Sequence, residues 1–182
     1  MDDAGITRSA LAARRGDETA AAQFVRATTP QVRRLLQYLG ADDQVDDLVQ
    51  ETYLRAFAGL RGYGGAAPAR HWLLGIARRV AADHVRDAQR HPRTRPASGL
   101  PEAGSRAVAG PAGVVAVRQA IAALPAERRE AFVLTRVVGL SYAEAAGVCG
   151  CPVGTVRSRV YRARCDLIAA LADHATGTDA CG

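Results

Sequence analysis

Apolar residues recur at helical intervals along the first 90 residues or so, and no segment alternates between apolar and polar positions as a half-buried strand would. The first apolar run begins at Phe24, is interrupted near Pro30, and has Gly40 as a suitable helix end. A second helix follows, which Asp42 or Asp43 can cap. Its apolar face obeys the i, i+3, i+4 rule and consists of Val45, Leu48, Val49, Thr52, Tyr53, Ala56, Phe57 and Leu60.

A glycine-rich break, RGYGGAAP, ends this helix, and Pro68 opens another that is predicted to reach about Arg90. From His91 to Gly113 the chain holds four of its eight prolines and has no hydrophobic periodicity. Such a composition is typical of a flexible linker. An extended segment of this length spans roughly 75 Å at ~3.3 Å per residue.

Helical periodicity returns after the linker, with one helix over 114–124 and a second from Pro125 to about Val138, where Gly139 ends it. Ser141 and Glu144 form a capping box for a third helix. The pattern predicts an all-α protein of two small helical domains. Their bounds are residues 1–90 and 114–172, with a linker at 91–113 and a tail at 173–182.

The spacing within residues 141–161 is that of a helix-turn-helix. Ala146 is small enough for two helices to cross closely, and Gly150 can adopt the positive φ of a tight turn. Pro152 suits the first turn of the second helix, and the apolar Val156 can pack back on the first. This second helix is the one that would enter a DNA major groove.

The second helix carries four arginines and no acidic residue before Asp166. Arginine pairs with guanine edges and with phosphates, and small residues near the helix start allow a close approach to DNA. A solvated basic helix is the alternative for the arginines alone. The candidate DNA-contacting residues are Pro152, Val153, Gly154, Thr155, Arg157, Ser158, Arg159 and Arg162.

Composition agrees with an anionic partner. The net charge is +6, and all 24 basic residues are arginine because the chain has no lysine. No apolar run approaches the ~18 residues of a membrane span, and the first residues are too polar for a signal peptide. We therefore expect a cytoplasmic protein without membrane insertion.

The cysteines do not have the spacing of a metal site. Cys149 and Cys151 are separated by one residue, and no second Cys/His pair follows at zinc-finger spacing. Cys165 lies more than ~20 Å from Cys151 if the helix between them is continuous. A packing role is favoured, with a redox switch at Cys149 or Cys151 as the alternative. We predict no metal and no cofactor.

No arrangement of residues indicates an enzyme. The four histidines are scattered, and none lies beside a Ser or Cys in a catalytic context. The GGAAPAR segment lacks the Lys-Ser/Thr end of a phosphate-binding loop.

Three motifs resemble bacterial extracytoplasmic-function sigma factors, in that family's order. LPAERREAFVLTRVVGLSYAEAAGVCGCPVGTVRSRVYRAR, at 124–164, resembles the fourth conserved region. DDLVQETYLRAF, at 46–57, resembles the second region, and RHWLLGIARRVAADHVRD, at 70–87, resembles the adjoining segment that melts and reads the minus-10 element. The GVCGCPVGTVRSRV stretch further resembles an actinobacterial, sigma-C-like subgroup.

The resemblance gives a meaning to the acidic cluster at Asp42, Asp43, Asp46, Asp47 and Glu51, for which a solvated face is the alternative. It implies that this face binds the clamp helices of core RNA polymerase. The flap of the polymerase is a further implied partner of the protein. The implied polymerase-binding residues are Asp46, Asp47, Leu48, Gln50, Glu51, Tyr53 and Phe57.

For the minus-10 element, the resemblance implies that the RGYGGAAP loop holds a flipped base of the non-template strand. Tyr63 would either stack on that base or anchor the loop, and Trp72 would either stack or belong to the core. The implied minus-10 residues are Tyr63, Arg70, Trp72, Arg78, Arg79, Asp83, His84 and Arg86.

The implied function is a non-enzymatic sigma factor that binds core polymerase, reads a minus-35 element as duplex and captures the minus-10 element as a melted strand. Promoter DNA is the second partner, and an anti-sigma factor is a possible third. The alternative is a two-domain helix-turn-helix regulator that does not bind polymerase. The DLVQE motif within the acidic cluster argues against it.

Overall fold

A computed structural model of the chain describes residues 1–40, 44–90 and 112–178, with side chains described for 1–40, 44–90 and 114–172. Every regular element within these residues is helical, which confirms the all-α prediction. They form two compact units. The first contains residues 1–90, and the second contains most of the described residues from Ala112 onward.

The described part of the first unit contains helices α1 (Asp3–Arg14), α2 (Glu18–Leu39), α3 (Val45–Gly59) and α4 (Ala69–Arg90), with a 3-10 turn at Leu60–Gly62. Helix α2 packs against the other three helices, and α3 packs against α4. The fully buried side chains at their centre are Phe24, Thr28, Val32, Leu35, Leu36, Leu73, Leu74 and Val80.

Helix α1 was not predicted. Asp2 caps it by accepting a hydrogen bond from the backbone N–H of Gly5 at 2.9 Å. Ile6 and Ala10, four residues apart, bury its inner face. The local signals for the helix are this short apolar pair, the N-terminal Asp, the alanines of the last turns and Gly16 just beyond its end, which adopts φ +96°.

Helix α2 runs through Pro30 without the predicted interruption. A proline inside a helix lacks the N–H that bonds to the preceding turn. Hydroxyl groups supply hydrogen bonds to that turn: Thr28 donates to the carbonyl of Phe24 at 2.7 Å, and Thr29 donates to that of Val25 at 2.8 Å. Tyr53 of α3 also donates to the Val25 carbonyl, at 3.2 Å. The helix continues through the proline, and these hydroxyls bond to carbonyls beside that of Arg26, which is the one that Pro30 leaves without its usual donor.

Gly40 ends α2 as predicted, and its N–H donates to the carbonyl of Leu36 at 2.8 Å. A Cβ at this position would lie 2.5 Å from the Cδ1 atom of Leu48, so a larger residue would require the Leu48 side chain to move. The predicted caps of α3, Asp42 and Asp43, lie outside the described residues. The N-cap of α3 is Gln44, whose side chain makes no capping bond.

The described chain from Ala112 onward, most of which forms the second unit, contains α5 (Ala112–Ala123), α6 (Ala126–Phe132) with a π-helical segment at Val133–Val137, α7 (Tyr142–Cys149) and α8 (Val153–Thr178). Helix α5 begins two residues inside the predicted linker, whose remaining residues, 91–111, lie outside the described part. Helix α8 extends to Thr178, so the predicted tail begins six residues too early. No helix-breaking proline separates residue 172 from this end.

Candidate functional site

The turn between α7 and α8 has the predicted geometry. Gly150 adopts φ +67°, a conformation that L side chains rarely take. The N–H of Cys151 donates to the carbonyl of Ala146 at 3.2 Å, which closes the turn. The carbonyl of Pro152 then accepts from Thr155 at 2.9 Å and starts α8. The Ser141–Glu144 capping box at the start of α7 is also present.

Helix α8 has a buried side and an open side. Val156, Val160, Ala163 and Leu167 pack into the unit. Most of the eight candidate DNA-contacting residues lie on the open side, whereas Thr155 and Arg159 are half-buried. The exposed candidates are Pro152, Val153, Gly154, Arg157, Ser158 and Arg162.

The arginines of α8 are not equivalent. Arg157, Arg162 and Arg164 are exposed, and no ion pair within the described residues occupies their guanidinium groups. Arg159 instead contacts Glu127 of α6, with Nη2 2.5 Å from Oε2, and its Nη1 lies 3.8 Å from the Sγ of Cys151. The structure therefore separates three available basic groups from one that is already paired.

The outer face of α3 combines acidic, polar and apolar groups. Asp47, Gln50, Leu54 and Phe57 are spaced so that they share this face. Leu54 is 66% exposed and Phe57 is 40% exposed, which is unusual for large apolar side chains. Leu54 was missed by the sequence analysis. Its only signal was its position outside the buried apolar repeat of α3.

Two candidate polymerase-binding residues are buried instead. Leu48 packs into the first unit, and Tyr53 hydrogen bonds to Thr28 at 2.7 Å and to Thr29 at 3.1 Å. Burial raises the pKa of Tyr53, although the bonds to Thr28 and Thr29 oppose the shift. These residues hold α3 in place rather than present a surface.

The acidic groups of α3 have basic neighbours. Asp46 pairs with Arg33 of α2, and Glu51 accepts a hydrogen bond from Arg55 at 2.7 Å. Asp47 and Gln50 are exposed. The face is therefore less negative than its sequence indicates.

Tyr63 of the glycine-rich segment packs against Trp72 of α4, with the two ring planes tilted by 32°. Tyr63 is buried, and its ring centroid lies 4.9 Å from that of the half-buried Trp72. The Tyr63 hydroxyl donates to the carbonyl of Ala67, and Arg14 donates to the carbonyl of Tyr63. Burial raises the pKa of Tyr63. This arrangement favours the loop-anchoring role over stacking on a base.

Some of the other minus-10 candidates pack against the fold, and the others line an open groove. Arg70 donates to Asp3 of α1 at 2.8 Å, and Arg78 and His84 are half-buried. The remaining ones line a groove of about 370 Å³ between α3 and α4. Its lining residues are Arg55, Gly59, Trp72, Ile76, Arg79, Asp83 and Arg86.

Asp83 is the centre of an ion-pair network in this groove. It accepts hydrogen bonds from Arg55 of α3, at 2.6 Å, and from Arg86. The Arg55 and Arg86 guanidinium groups lower the pKa of the Asp83 carboxyl, and Asp83 together with Glu51 raises the pKa of Arg55. Arg55 was not a sequence candidate, because only the fold brings it to Asp83.

The three cysteines that the structure describes form no disulfide. Cys149 and Cys151 are half-buried at the turn, and Cys165 is exposed. Helix α8 is continuous from Val153, two residues after Cys151, past Cys165. No helix of the described residues is both long and apolar enough to cross a membrane.

Comparison with known proteins agrees with these two units. The sigma-70 region 2 model matches residues 24–91, and the sigma-70 region 4 model matches residues 115–167. The ECF RNA polymerase sigma factor SigC of Mycobacterium tuberculosis is 46% identical over 171 residues, 92% of each chain.

Two solved structures are similar to the chain as well. CnrH, in complex with the cytosolic domain of CnrY, has a TM-score of 0.74 at 28% identity, over 93% of this chain and 98% of that one. The sigma factor RpoE of Bartonella quintana, in complex with the anti-sigma factor NepR, has a TM-score of 0.69 at 30% identity, over 82% and 94%.

A helical unit matching region 2, followed by a helix-turn-helix unit matching region 4, is the organisation of a sigma-70-type transcription factor. The chain belongs to the extracytoplasmic-function family of RNA polymerase sigma factors and is similar to the mycobacterial sigma-C proteins. The alternative of a regulator independent of polymerase is not favoured.

Proposed function

We propose that this sigma factor brings core RNA polymerase to promoters by dividing recognition between its units. The second unit binds the minus-35 element as duplex through α8, and the first unit binds polymerase through α3 and the melted minus-10 strand beside α4. Residues 91–111 join the two as a linker. The single observation that carries the proposal is the open, basic N-terminal half of α8 behind a correctly formed turn.

Minus-35 recognition follows from the exposed residues of α8. The helix presents small side chains at its start, so it can lie deep in the major groove. Arg157 and Arg162 are exposed and available for guanine edges or phosphates. Ser158 lies between them on the same open side and supplies a hydroxyl.

Polymerase binding follows from the outer face of α3. Exposed apolar side chains at the centre of a surface are typical of protein interfaces, and the acidic residues give it a preference for a basic partner. The proposed contacts with the clamp helices are Asp47, Gln50, Leu54 and Phe57, with Asp46 and Glu51 at the rim. The flap is the proposed contact of the second unit.

The groove between α3 and α4 suits an unpaired nucleotide. Aromatic rings stack on bases and guanidinium groups bind phosphates, and Trp72 and Arg79 supply both kinds of group here, whereas Arg86 is paired with Asp83. In this proposal Tyr63 anchors the loop beside the groove rather than stacking on the base. An anti-sigma factor is a further proposed partner, because the similar RpoE of Bartonella quintana was solved with one.

Transcription in vitro tests the proposal. A promoter is first selected from a random DNA library by core polymerase that carries the purified protein. We expect specific transcripts from this promoter only when the protein is added, and co-purification of the protein with core. Absence of both results would contradict the proposal and favour the polymerase-independent regulator.

The assignment of α8 has its own arm in this experiment. Replacing both Arg157 and Arg162 by Ala should abolish initiation that depends on the minus-35 element and leave binding to core intact. The matched control removes two exposed arginines, Arg8 within α1 and Arg15 at its C-cap, and should initiate normally. Unchanged initiation by the α8 variant would show that the helix is wrongly assigned.

A further inference from the structure

Two ion pairs join α8 to the first residues of α6. Arg159 Nη2 lies 2.5 Å from Glu127 Oε2, and Arg128 Nη1 lies 2.7 Å from Asp166 Oδ2. The pairs run in opposite directions, since α8 supplies the cation of one and the anion of the other. They fix the flank of α8 that faces α6.

Helical geometry separates this flank from the open side of α8. Thr155, Arg159 and Asp166 fall on the α6 side, Arg157 falls on the opposite flank, and the exposed Arg162 lies next to the α6 side. The side chain of Arg159 is 22% exposed, and that of Glu127 is 72% exposed. The carboxylate of Glu127 therefore lies at the open edge of the proposed DNA-binding surface and is paired with the guanidinium group of Arg159.

The same residues line a groove of about 460 Å³ between α6 and α8. Four of the candidate DNA-contacting residues contribute to it, together with the start of α6; the lining residues are Pro125, Ala126, Glu127, Arg128, Thr155, Ser158, Arg159 and Arg162. A DNA phosphate that approaches this groove meets a neutralised Arg159 and the negative charge of Glu127. Binding through Arg159 requires that the phosphate displace the carboxylate.

We infer that Glu127 is an intramolecular competitor for Arg159 that restrains binding of α8 to the DNA backbone. The inference rests on the proposed function of α8 as the duplex-binding helix. Backbone contacts carry no sequence information, whereas contacts to base edges do. Glu127 weakens the contact of Arg159 with the DNA backbone, and it leaves Arg157 and Arg162 available for contacts with base edges. The pair thus raises the preference for a specific site over random duplex.

The test measures binding of the full chain to a labelled random-sequence duplex by fluorescence anisotropy over a range of salt concentrations. The Glu127→Gln variant should bind this duplex about threefold to tenfold more tightly than wild type, because one more phosphate is contacted. Its plot of log affinity against log salt should steepen by about 0.9. The gain should be smaller on the duplex selected by the polymerase complex, so the specificity ratio falls.

A double-mutant cycle distinguishes competition from a simple loss of negative charge. In an Arg159→Ala background the Glu127→Gln change should have no effect on affinity or salt slope. Glu18→Gln is the charge-matched control, since Glu18 is an exposed glutamate in the first turn of α2. It should bind as wild type does. If Arg159→Ala unfolds the second unit, Arg159→Gln replaces it in the cycle.

Equal affinity and salt slope for wild type and Glu127→Gln would overturn the inference, as would a gain that persists without Arg159. These results are distinguishable from failure of the proposed function. If the variant lacking Arg157 and Arg162 binds the selected duplex as wild type does, the DNA-binding surface itself is wrongly placed. If that variant loses binding while Glu127→Gln is unchanged, only the role of Glu127 is refuted.

Discussion

All 24 Lys/Arg positions of this protein are arginine, but individual arginines have different roles. Arg70 fastens α4 to Asp3 of α1, and Arg159 fastens α8 to Glu127 of α6. Arg157 and Arg162 remain exposed. A guanidinium group that is paired with a carboxylate helps to position the helices that it joins. One without such a partner is available to bind an anion. Net charge alone does not make this distinction.

The ion pairs of Asp83 make the free energy of unfolding depend on pH in the acid range. Because Arg55 and Arg86 lower the pKa of Asp83, this carboxylate stabilises the fold above its usual pKa of 3.8, and the stabilisation is lost as the pH falls through the lowered value. The Asp83→Asn variant should be less stable near neutral pH by up to about 1 kcal/mol, as expected for surface ion pairs. Its free energy of unfolding should also fall less steeply below about pH 4.

Urea denaturation followed by circular dichroism at several pH values measures both effects. Asp87→Asn, an exposed aspartate four residues further along α4, is the control and should behave as wild type does. Parallel pH curves for wild type and Asp83→Asn would contradict the role assigned to the network.

Whole helices in this chain depend on a few residues that do not follow simple propensity. Helix α2 continues through Pro30, and the hydroxyls of Thr28, Thr29 and Tyr53 bond to carbonyls of the preceding turn. Gly150 ends α7 with a positive φ, which lets α8 begin three residues later. The end of α7 is therefore set by one specific residue rather than by the average propensity of its sequence.

Substitution of Gly150 tests this dependence. Gly150→Ala should destabilise the helix-turn-helix by about 1–2 kcal/mol, because the positive φ is strained for an L side chain. No atom lies within 4 Å of the added Cβ, so the effect would come from the backbone alone. Hydrogen exchange of the α7 and α8 amides measures it.

Gly147 provides the matched control. It lies within α7, and an added Cβ there also meets nothing within 4 Å. Gly147→Ala should therefore stabilise α7 by roughly 0.5–1 kcal/mol. Equal hydrogen-exchange protection of the α7 and α8 amides in Gly150→Ala and Gly147→Ala would mean that the turn does not need glycine.

At the scale of the whole molecule, opposite chemical characters are kept on different helices. The outer face of α3 offers acidic and apolar groups, whereas the N-terminal half of α8 offers small and basic ones. In the proposed function the second face binds DNA, and the first, which is acidic and apolar, binds polymerase. Such a separation suits a protein that must hold a polymerase and a promoter together.

Leu54 is the residue that best tests the α3 face, since it is exposed and contributes little to the core. Leu54→Glu should weaken binding to core polymerase by about tenfold or more, because it places a charge in an apolar contact, and should leave stability unchanged. Titration of labelled protein with core polymerase gives the dissociation constant. Gln23→Glu, an equally negative change at an exposed position of α2, is the control. An unchanged dissociation constant for Leu54→Glu would refute the proposed face.

The sequence alone determined the features that depend on near neighbours. Helical periodicity predicted α2, α3, α4 and the helices of the second unit, and the Ala146–Gly150–Val156 spacing predicted the turn, because these rest on contacts between residues a few positions apart. It did not predict α1, whose apolar repeat is short.

Only the tertiary structure decided which side chains on those helices are available. Tyr53 and Tyr63 are buried by hydroxyl and stacking partners from other helices, whereas Leu54 remains exposed. Arg159 is occupied by a carboxylate 32 residues away in the chain. A side chain's exposure and its ion-pair partner are set by which helices pack together, and that is information no local pattern contains.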